Sequence, residues 1–214
     1  MFTGIPNLTL ITPSEWLANL VRGSFLKEYP VTVIHNGIDT TIFKPRLLDA
    51  QELRKKFCLE GKQVLLGVAA IWDQRKGLDN LLELSLKLKS YQQLVLIGLS
   101  KKQLNKLPKE IIGLTTTDSV EELSTWYTLA DVFVNPTTQD NYPTTNLEAI
   151  ACGTPVVTYP TGGSIESAHM YGIVCSDRTV TSMLESLREV SHCKRNPNFN
   201  LSREYFVENI LKLY

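Results

Sequence analysis

The sequence predicts an α/β fold in which a Rossmann-like parallel sheet carries helices on both faces. Two observations predict it: short runs of apolar, β-branched residues recur along the chain, and helical patterns lie between most of them. Strands that are apolar throughout are typical of parallel sheets covered on both sides. Because the two kinds of segment alternate, a doubly wound sheet is the most economical arrangement.

The elements can be assigned in chain order from these patterns. The predicted strands are 31–34, 64–70, 94–97, 111–114, 131–134 and 155–159, so the main sheet begins near Gln63. The predicted helices include 78–88, 120–129, 146–151 and an amphipathic final helix over 202–214. Trp126, Tyr127 and Phe133 fit the core or a helix face.

Two helix starts have recognisable capping patterns. Thr12 is followed by Pro13 and Glu15, which predicts an N-cap at Thr12, a proline at the first helical position and an acid at the third. Ser119 precedes Glu122 by three residues, the spacing of a capping box. The first forty-five residues otherwise offer one strand and an Asn-Gly turn, too little for a domain of their own.

Composition excludes several classes of function. Lys plus Arg and Asp plus Glu both number 22, so no overall charge favours nucleic acid. No apolar run is long enough to predict a transmembrane segment. The four cysteines are scattered and predict neither a disulfide framework nor zinc, which favours a reducing cytoplasm. The three histidines have no spacing typical of a metal site or a catalytic triad.

The segment 140–163 predicts an anion site. Pro143 fits the first helical position, which leaves the N–H groups of Thr144 and Thr145 unpaired. Such a helix end attracts phosphate. Glu148 follows Thr144 by four residues, on the same face and roughly 6 Å further along the axis. That spacing suits a nucleoside diphosphate with its ribose at Glu148; the alternative is a capped core helix with an exposed glutamate.

Five segments in a fixed order resemble glycosyltransferase family 4, and they are 12–17, 33–39, 76–77, 130–136 and 148–157. The resemblance implies the C-terminal half of a GT-B fold, in which two Rossmann-like domains face each other across a cleft. It implies that residues 1–45 are the end of the N-terminal domain with the interdomain crossover. Residues 46–214 would then form the nucleotide-sugar-binding domain and a final crossover helix.

The family's two-carboxylate motif falls on Asp140 and Glu148, which the resemblance implies as catalytic residues. Glu148 would bind the ribose hydroxyls of the donor and Asp140 the hydroxyls of the transferred sugar. The amides of Thr144 and Thr145 would meet the diphosphate. The family has Glu where this chain has Asp140, so the reach is one methylene shorter and the sugar is left open. Asn141 would lie beside the sugar or shape the loop.

The family also places a lysine and an arginine on the diphosphate. Lys76, directly before Gly77, matches the lysine. No basic residue stands near Ala70 or Ile71, where the arginine belongs, and Arg75 is the candidate replacement. Adjacent residues on an extended loop tend to point apart, however.

The loop 115–118 resembles the family's loop against the base, with Thr117 as a donor contact. The alternative for this loop is ordinary helix capping by Asp118. Gly162 and Gly163 follow a strand and either let the backbone approach closely or form a plain turn.

The resemblance implies a retaining glycosyltransferase that moves a sugar from a UDP- or GDP-sugar to a glycan or lipid-linked acceptor. The resemblance implies independence of metal ions, in keeping with the absence of an Asp-x-Asp motif, and no cofactor is expected. The acceptor would need an N-terminal domain, so this chain alone is expected to be nearly inactive. A cytoplasmic place, free or at the inner membrane surface, and a role in polysaccharide synthesis are implied. The alternatives are a non-catalytic nucleotide-binding module or subunit, or a GT-B epimerase, against which the two carboxylates argue.

Overall fold

The computed structural model describes residues 3–193 and 200–213, which form two parallel sheets with helices packed on them. The strands are β1 Leu10–Thr12, β2 Val31–Val33, β3 Gln63–Val68, β4 Gln92–Ile97, β5 Ile112–Leu114, β6 Val132–Asn135, β7 Val156–Thr158 and β8 Gly172–Val174. The helices are α1 Glu15–Arg22, α2 Leu47–Lys56, α3 Leu78–Ser85, α4 Lys101–Leu104, α5 Val120–Leu129, α6 Thr144–Ala151, α7 Ser164–Ala168, α8 Val180–Glu189 and α9 Arg203–Leu211.

The main sheet has the order β5-β4-β3-β6-β7-β8, and all its strand pairs are parallel. This is the Rossmann order, so the predicted fold class is confirmed. The chain winds outward from β3 in one direction and then from β6 in the other. Ligands in such sheets bind where the order reverses, beyond the carboxyl ends of the strands. The crevice between β3 and β6 is therefore the first place to seek a site.

Both faces of the main sheet are covered by helices. Leu65 and Val134 belong to one apolar cluster, while Leu66 and Phe133, their chain neighbours, belong to the other. Successive strand residues point to opposite faces, so apolar strands bury both sides. Trp126 and Tyr127 are buried with Phe133, which confirms their predicted core placement.

The small sheet pairs β1 with β2 in parallel and is tied to the main domain at two places. The Glu166 carboxylate on α7 accepts hydrogen bonds from the N–H groups of Glu15 (3.0 Å) and Trp16 (2.9 Å) at the start of α1. The N–H of Ile38 donates to the Leu201 carbonyl (2.8 Å), just before α9. These contacts hold α1 and the lead-in to α9 against neighbouring elements.

The predicted start of α1 is wrong by two residues. Thr12 pairs with Val33 as the last residue of β1, so it cannot cap the helix. Ser14 is the N-cap instead, and its hydroxyl accepts from the N–H of Leu17 (3.1 Å). The three-residue strand β1 escaped prediction.

Other differences concern element ends and missed elements. The strand predicted over 64–70 ends at Val68, and the helix predicted over 78–88 ends at Ser85. The sequence patterns missed α2, α4, α7, β8 and α8. The final helix begins after Ser202, but none of its residues is buried; Tyr214 lies outside the described residues. Within 3–193 and 200–213, no helix is both long and apolar enough to cross a bilayer.

Candidate functional site

Two loops meet where the strand order reverses, one after β3 and one after β6. The N–H of Thr138 donates to the Arg75 carbonyl (2.8 Å), and the Thr137 hydroxyl donates to the same oxygen (3.2 Å). Gly77 has a left-handed φ of 73°, and a Cβ there would lie 2.4 Å from the Pro136 carbonyl oxygen. Only glycine allows this approach. The two loops therefore form one surface at the crevice.

Lys76 and Asp140 form an ion pair on that surface. Lys76 Nζ lies 2.7 Å from Asp140 Oδ2, and the side chains are 32% and 14% exposed. The lysine ammonium has three N–H donors, so two remain for a ligand. Two residues that the sequence nominated separately, one for phosphate and one for sugar, are thus brought into direct contact.

Arg75 makes its ion pair with a different residue. Its guanidinium binds the carboxylate of Asp73 (2.8 Å), and its side chain is 62% exposed. Hydrogen bonding to Arg75 lowers the pKa of Asp73. The loop is not extended as expected: Gln74–Lys76 form a 3-10 turn, because Asp73 accepts the N–H of Lys76.

The position of the family's arginine is apolar. Ala70 and Ile71 lie near that place, and Ile71 is 74% exposed. Arg75 as the substitute therefore stays a prediction, with Asp73 as its present partner.

The start of α6 provides free donors, although the predicted register is wrong. Pro143 is the N-cap, with an extended ψ of 117°, and the helix begins at Thr144. The N–H of Asn146 bonds to the Pro143 carbonyl (3.2 Å), whereas no partner within 3–193 and 200–213 accepts from the N–H of Thr144 or Thr145. These two N–H groups stand at the positive end of an eight-residue helix.

Glu148 is a half-buried carboxylate one turn further along α6. Its Oε2 accepts a hydrogen bond from the Tyr127 hydroxyl at 2.9 Å. Burial raises the pKa of Glu148, while hydrogen bonds from Tyr127 and Thr144 oppose that rise. The alternative of a freely exposed helix glutamate is therefore wrong. The hydrogen bond from Tyr127 fixes the Glu148 carboxylate, which lies on the same face of α6 as the start of the helix.

Gly162 and Gly163 brace the loop that carries Asp140. The N–H of Gly163 donates to the Asp140 carbonyl (3.1 Å), and a Cβ on Gly163 would lie 1.8 Å from the Asn141 carbonyl oxygen. Gly162 has a φ of 51° and equally little room. Tyr142 is buried and stacks on His35 with ring centroids 4.7 Å apart. Close backbone approach, rather than a plain turn, explains the glycine pair.

Thr117 is not brought to the pair formed by Lys76 and Asp140. It follows β5, two strands from β3, and its hydroxyl donates to the Ser119 carbonyl (2.9 Å). Ser119 caps α5, as predicted, by accepting from the N–H of Glu122 (3.0 Å). Capping by Asp118 is wrong, because the N–H of Asp118 instead donates to the Glu122 carboxylate (2.6 Å). A base contact at Thr117 stays a prediction.

Tyr127 is the site residue that the sequence pattern missed. Apolar periodicity placed it in the core, where it is indeed fully buried. A buried tyrosine hydroxyl usually finds a hydrogen-bond partner, which was the available signal. The partner Glu148 lies 21 positions away, so spacing alone did not reveal it.

The geometry can now be compared with known proteins. The family model for Glycosyl transferases group 1 matches residues 62–192. The chain belongs to this family. The match covers β3 to α8 and includes Lys76, Asp140 and Glu148, so the resemblance described from the sequence is confirmed.

The curated relatives of this group 1 glycosyltransferase chain are similar to it at low sequence identity. One is the processive diacylglycerol alpha-glucosyltransferase of Acholeplasma laidlawii, 27% identical over 163 residues, which are 72% of this chain and 48% of the relative. Another is the alpha-galactosylglucosyldiacylglycerol synthase of Streptococcus pneumoniae, 24% identical over 100% of this chain and 60% of the relative. The chain thus spans about half of the first relative and three fifths of the second.

Solved structures agree with the fold. Sucrose-phosphate synthase from Thermosynechococcus elongatus superimposes with a TM-score of 0.72 at 20% identity, covering 96% of this chain and 54% of that one. Anabaena HepE in complex with UDP and glucose gives a TM-score of 0.70 at 16% identity, covering 94% of this chain and 61% of that one. The predicted C-terminal half of a GT-B fold is confirmed.

No group of three or more His, Cys, Asp or Glu side chains placed to hold a metal ion occurs in the described part of this group 1 glycosyltransferase chain. Metal independence itself stays a prediction. The cysteines are all unpaired, and Cys152 and Cys175 are buried.

Proposed function

We propose that this chain is the donor-binding C-terminal part of a retaining glycosyltransferase that uses a UDP- or GDP-sugar. One observation carries the proposal: Lys76, Asp140, the free donors of α6 and Glu148 all belong to the two loops and the helix at the reversal of strand order. A crevice at that place is where open α/β sheets bind nucleotides. Family membership supports the transfer of a sugar. Retention of configuration at the transferred sugar is proposed from the family resemblance.

The chemistry assigns a role to each group. A nucleoside diphosphate leaves with extra negative charge, and fixed donors aimed at that charge lower the barrier. Lys76 supplies two N–H groups besides the one on Asp140. The N–H groups of Thr144 and Thr145 supply the positive end of α6. Glu148 accepts from the ribose hydroxyls, and Asp140 from hydroxyls of the transferred sugar, without a metal or cofactor.

The base and acceptor are proposed from the relatives. Two of the relatives are named for diacylglycerol lipids, and one similar solved structure is a complex with UDP and glucose. A uridine donor and a lipid-linked or glycan acceptor fit those names. Residues 1–45 would be the end of an N-terminal domain that binds the acceptor, and 46–214 the donor domain. A cytoplasmic place at the inner membrane surface would bring the donor to such a lipid.

Titration calorimetry with UDP and with GDP tests the proposal. We expect weak binding of one nucleotide by the 214-residue chain and at least tenfold weaker binding by Glu148→Ala. The matched control is Glu185→Ala, since Glu185 is an exposed glutamate on α8. Absence of heat for both nucleotides with folded protein would overturn the proposal, and unchanged affinity in Glu148→Ala would remove that residue from the site.

A non-catalytic nucleotide-binding module is the second candidate. Two observations favour it. Ile71, near the family's arginine position, is exposed and uncharged, and the guanidinium of Arg75 is bound by Asp73. Both reduce the positive charge aimed at a leaving diphosphate. If the proposed N-terminal domain completes the cleft, radiolabelled UDP- and GDP-sugars, supplied with membrane lipid extract to a protein that has both domains, separate the two. Binding without any transfer would favour the module.

A further inference from the structure

Tyr127 is held rigidly at the centre of the fold. Its side chain is fully buried on α5, and its ring meets the edges of Phe43 (6.1 Å between centroids) and Phe133 (5.5 Å). Its carbonyl accepts a hydrogen bond from the Thr154 hydroxyl. Two segments therefore hold the ring and a third holds the backbone of Tyr127, which together fix the direction of the hydroxyl.

The hydrogen-bond partner of the Tyr127 hydroxyl is the carboxylate of Glu148. The hydroxyl donates to Oε2 over 2.9 Å. An ionised carboxylate offers about four acceptor positions, so this one donor leaves about three free. A ribose presents two neighbouring hydroxyl donors. The positions left open on Glu148 are therefore enough to receive both.

The charges around Glu148 make it the group that titrates. Burial raises its pKa, and the hydrogen bonds from Tyr127 and Thr144 lower it. Of its titratable neighbours, Tyr127 on α5 has a pKa raised well above its usual value by burial, and burial raises the pKa of Cys152, directly after α6, to about 11. The positive charge of Arg46, at the start of α2, opposes the rise in the pKa of Cys152. Near neutral pH, Tyr127 and Cys152 are uncharged.

We propose that Tyr127 is a positioning residue for the donor site: its hydroxyl holds one oxygen of Glu148 and turns the remaining acceptor positions toward the ribose diol. This inference rests on the proposed role of Glu148 as the ribose acceptor. It adds a residue of α5 to a site otherwise built from the loops after β3 and β6 and from α6. Tyr127 itself touches no substrate in this scheme.

The test is Tyr127→Phe in the full chain, which removes the hydroxyl and keeps the ring. We expect the nucleotide that the wild type binds to be held roughly 5- to 20-fold more weakly near neutral pH. The matched control is Tyr159→Phe. Tyr159 is also fully buried, but its hydroxyl has no partner among the described residues, so its removal should leave affinity unchanged.

Affinity measured between about pH 5 and about pH 8 separates positioning from packing. Glu148 binds as the carboxylate, so affinity falls as pH drops through its pKa. Loss of the Tyr127 bond raises that pKa further, and the fall should begin at higher pH in Tyr127→Phe than in the wild type. A purely structural effect would lower affinity equally at every pH. In a Glu148→Gln background, Tyr127→Phe should have no further effect.

The outcomes are distinct. A wild type that binds no nucleotide refutes the proposed function itself. Binding that weakens in Glu148→Gln and not in folded Tyr127→Phe, with the same pH profile, refutes only this inference. Should Tyr127→Phe not fold, NMR of the wild type decides: a hydroxyl proton in contact with Glu148 that responds to its titration supports the inference, and its absence overturns it.

Discussion

At the residue scale, the contact between Lys76 and Asp140 shapes the site most. The two residues stand 64 positions apart, and family likeness nominated each for a different part of the donor. Sequence could not place Nζ 2.7 Å from Oδ2, because that distance depends on how the loops after β3 and β6 meet. Lys76 and Asp140 neutralise each other's charge in this ion pair, so a diphosphate bound by Lys76 would share it with Asp140.

Replacing the two neighbouring basic residues tests which one binds phosphate. We expect Lys76→Met to weaken nucleotide binding at least tenfold, because a charged hydrogen bond to phosphate is lost. Arg75→Met is the matched control and should change affinity less than twofold, since its guanidinium is exposed and bound to Asp73. Calorimetry measures both. A larger loss in Arg75→Met would show that Arg75 replaces the family's arginine.

Asp140→Asn gives the complementary result. Removing the carboxylate frees Lys76, so the affinity for UDP should stay equal or rise. The affinity for the intact nucleotide sugar should fall, because the amide accepts sugar hydroxyls less well than a carboxylate. Equal losses for both ligands would contradict the assignment of Asp140 to the sugar.

At the scale of elements, strands buried on both faces were predicted well. β3, β4, β6 and β7 were found because both faces are buried, which leaves a continuous apolar run. β1 and β8 were missed, and neither is buried throughout its three residues. Helix α2 buries Ala50 and Leu53 yet exposes Leu47 and Leu48, so its apolar pattern misleads.

The close approach of Gly163 to the loop that carries Asp140 gives a prediction at the scale of elements. Gly163→Ala places a Cβ 1.8 Å from the Asn141 carbonyl oxygen, so the loop of Asp140 must move. We expect a loss of about 1–3 kcal/mol in the free energy of unfolding and weaker nucleotide binding. Gly23→Ala is the control, because the nearest atom to its Cβ is 3.6 Å away. Thermal unfolding measures both, and equal melting temperatures would contradict the brace.

At the scale of the whole molecule, the strand order decides where the site lies. The alternation of helices and strands predicted a doubly wound sheet, but no sequence pattern predicted the order of its strands. The packing of the first helix was not predicted either. Glu166 on α7 lies 150 positions from Trp16, and no local pattern reports that its carboxylate receives two amides of α1.

Glu166→Gln should loosen α1 from the rest of the chain. Two charge-assisted hydrogen bonds at a helix N-terminus are weakened, for a loss of about 1–2 kcal/mol in the free energy of unfolding. Faster hydrogen exchange in α1, with α3 and α8 unchanged, is the expected measurement. Glu204→Gln is the control, since Glu204 is an exposed first-turn acid of α9. Unchanged exchange in α1 would contradict the role of Glu166.

The hydrogen bonds around Ile38 have a mechanical consequence. Ile38 donates to the carbonyl of Leu201 and accepts from the N–H of Arg203, so the two chain segments that leave the small sheet and enter α9 run side by side as a ribbon. A Cβ on the adjoining Gly37 would lie 2.4 Å from the Ser202 carbonyl oxygen, which keeps this contact tight. Because two backbone hydrogen bonds join these segments, neither segment can be displaced without moving the other or breaking both bonds.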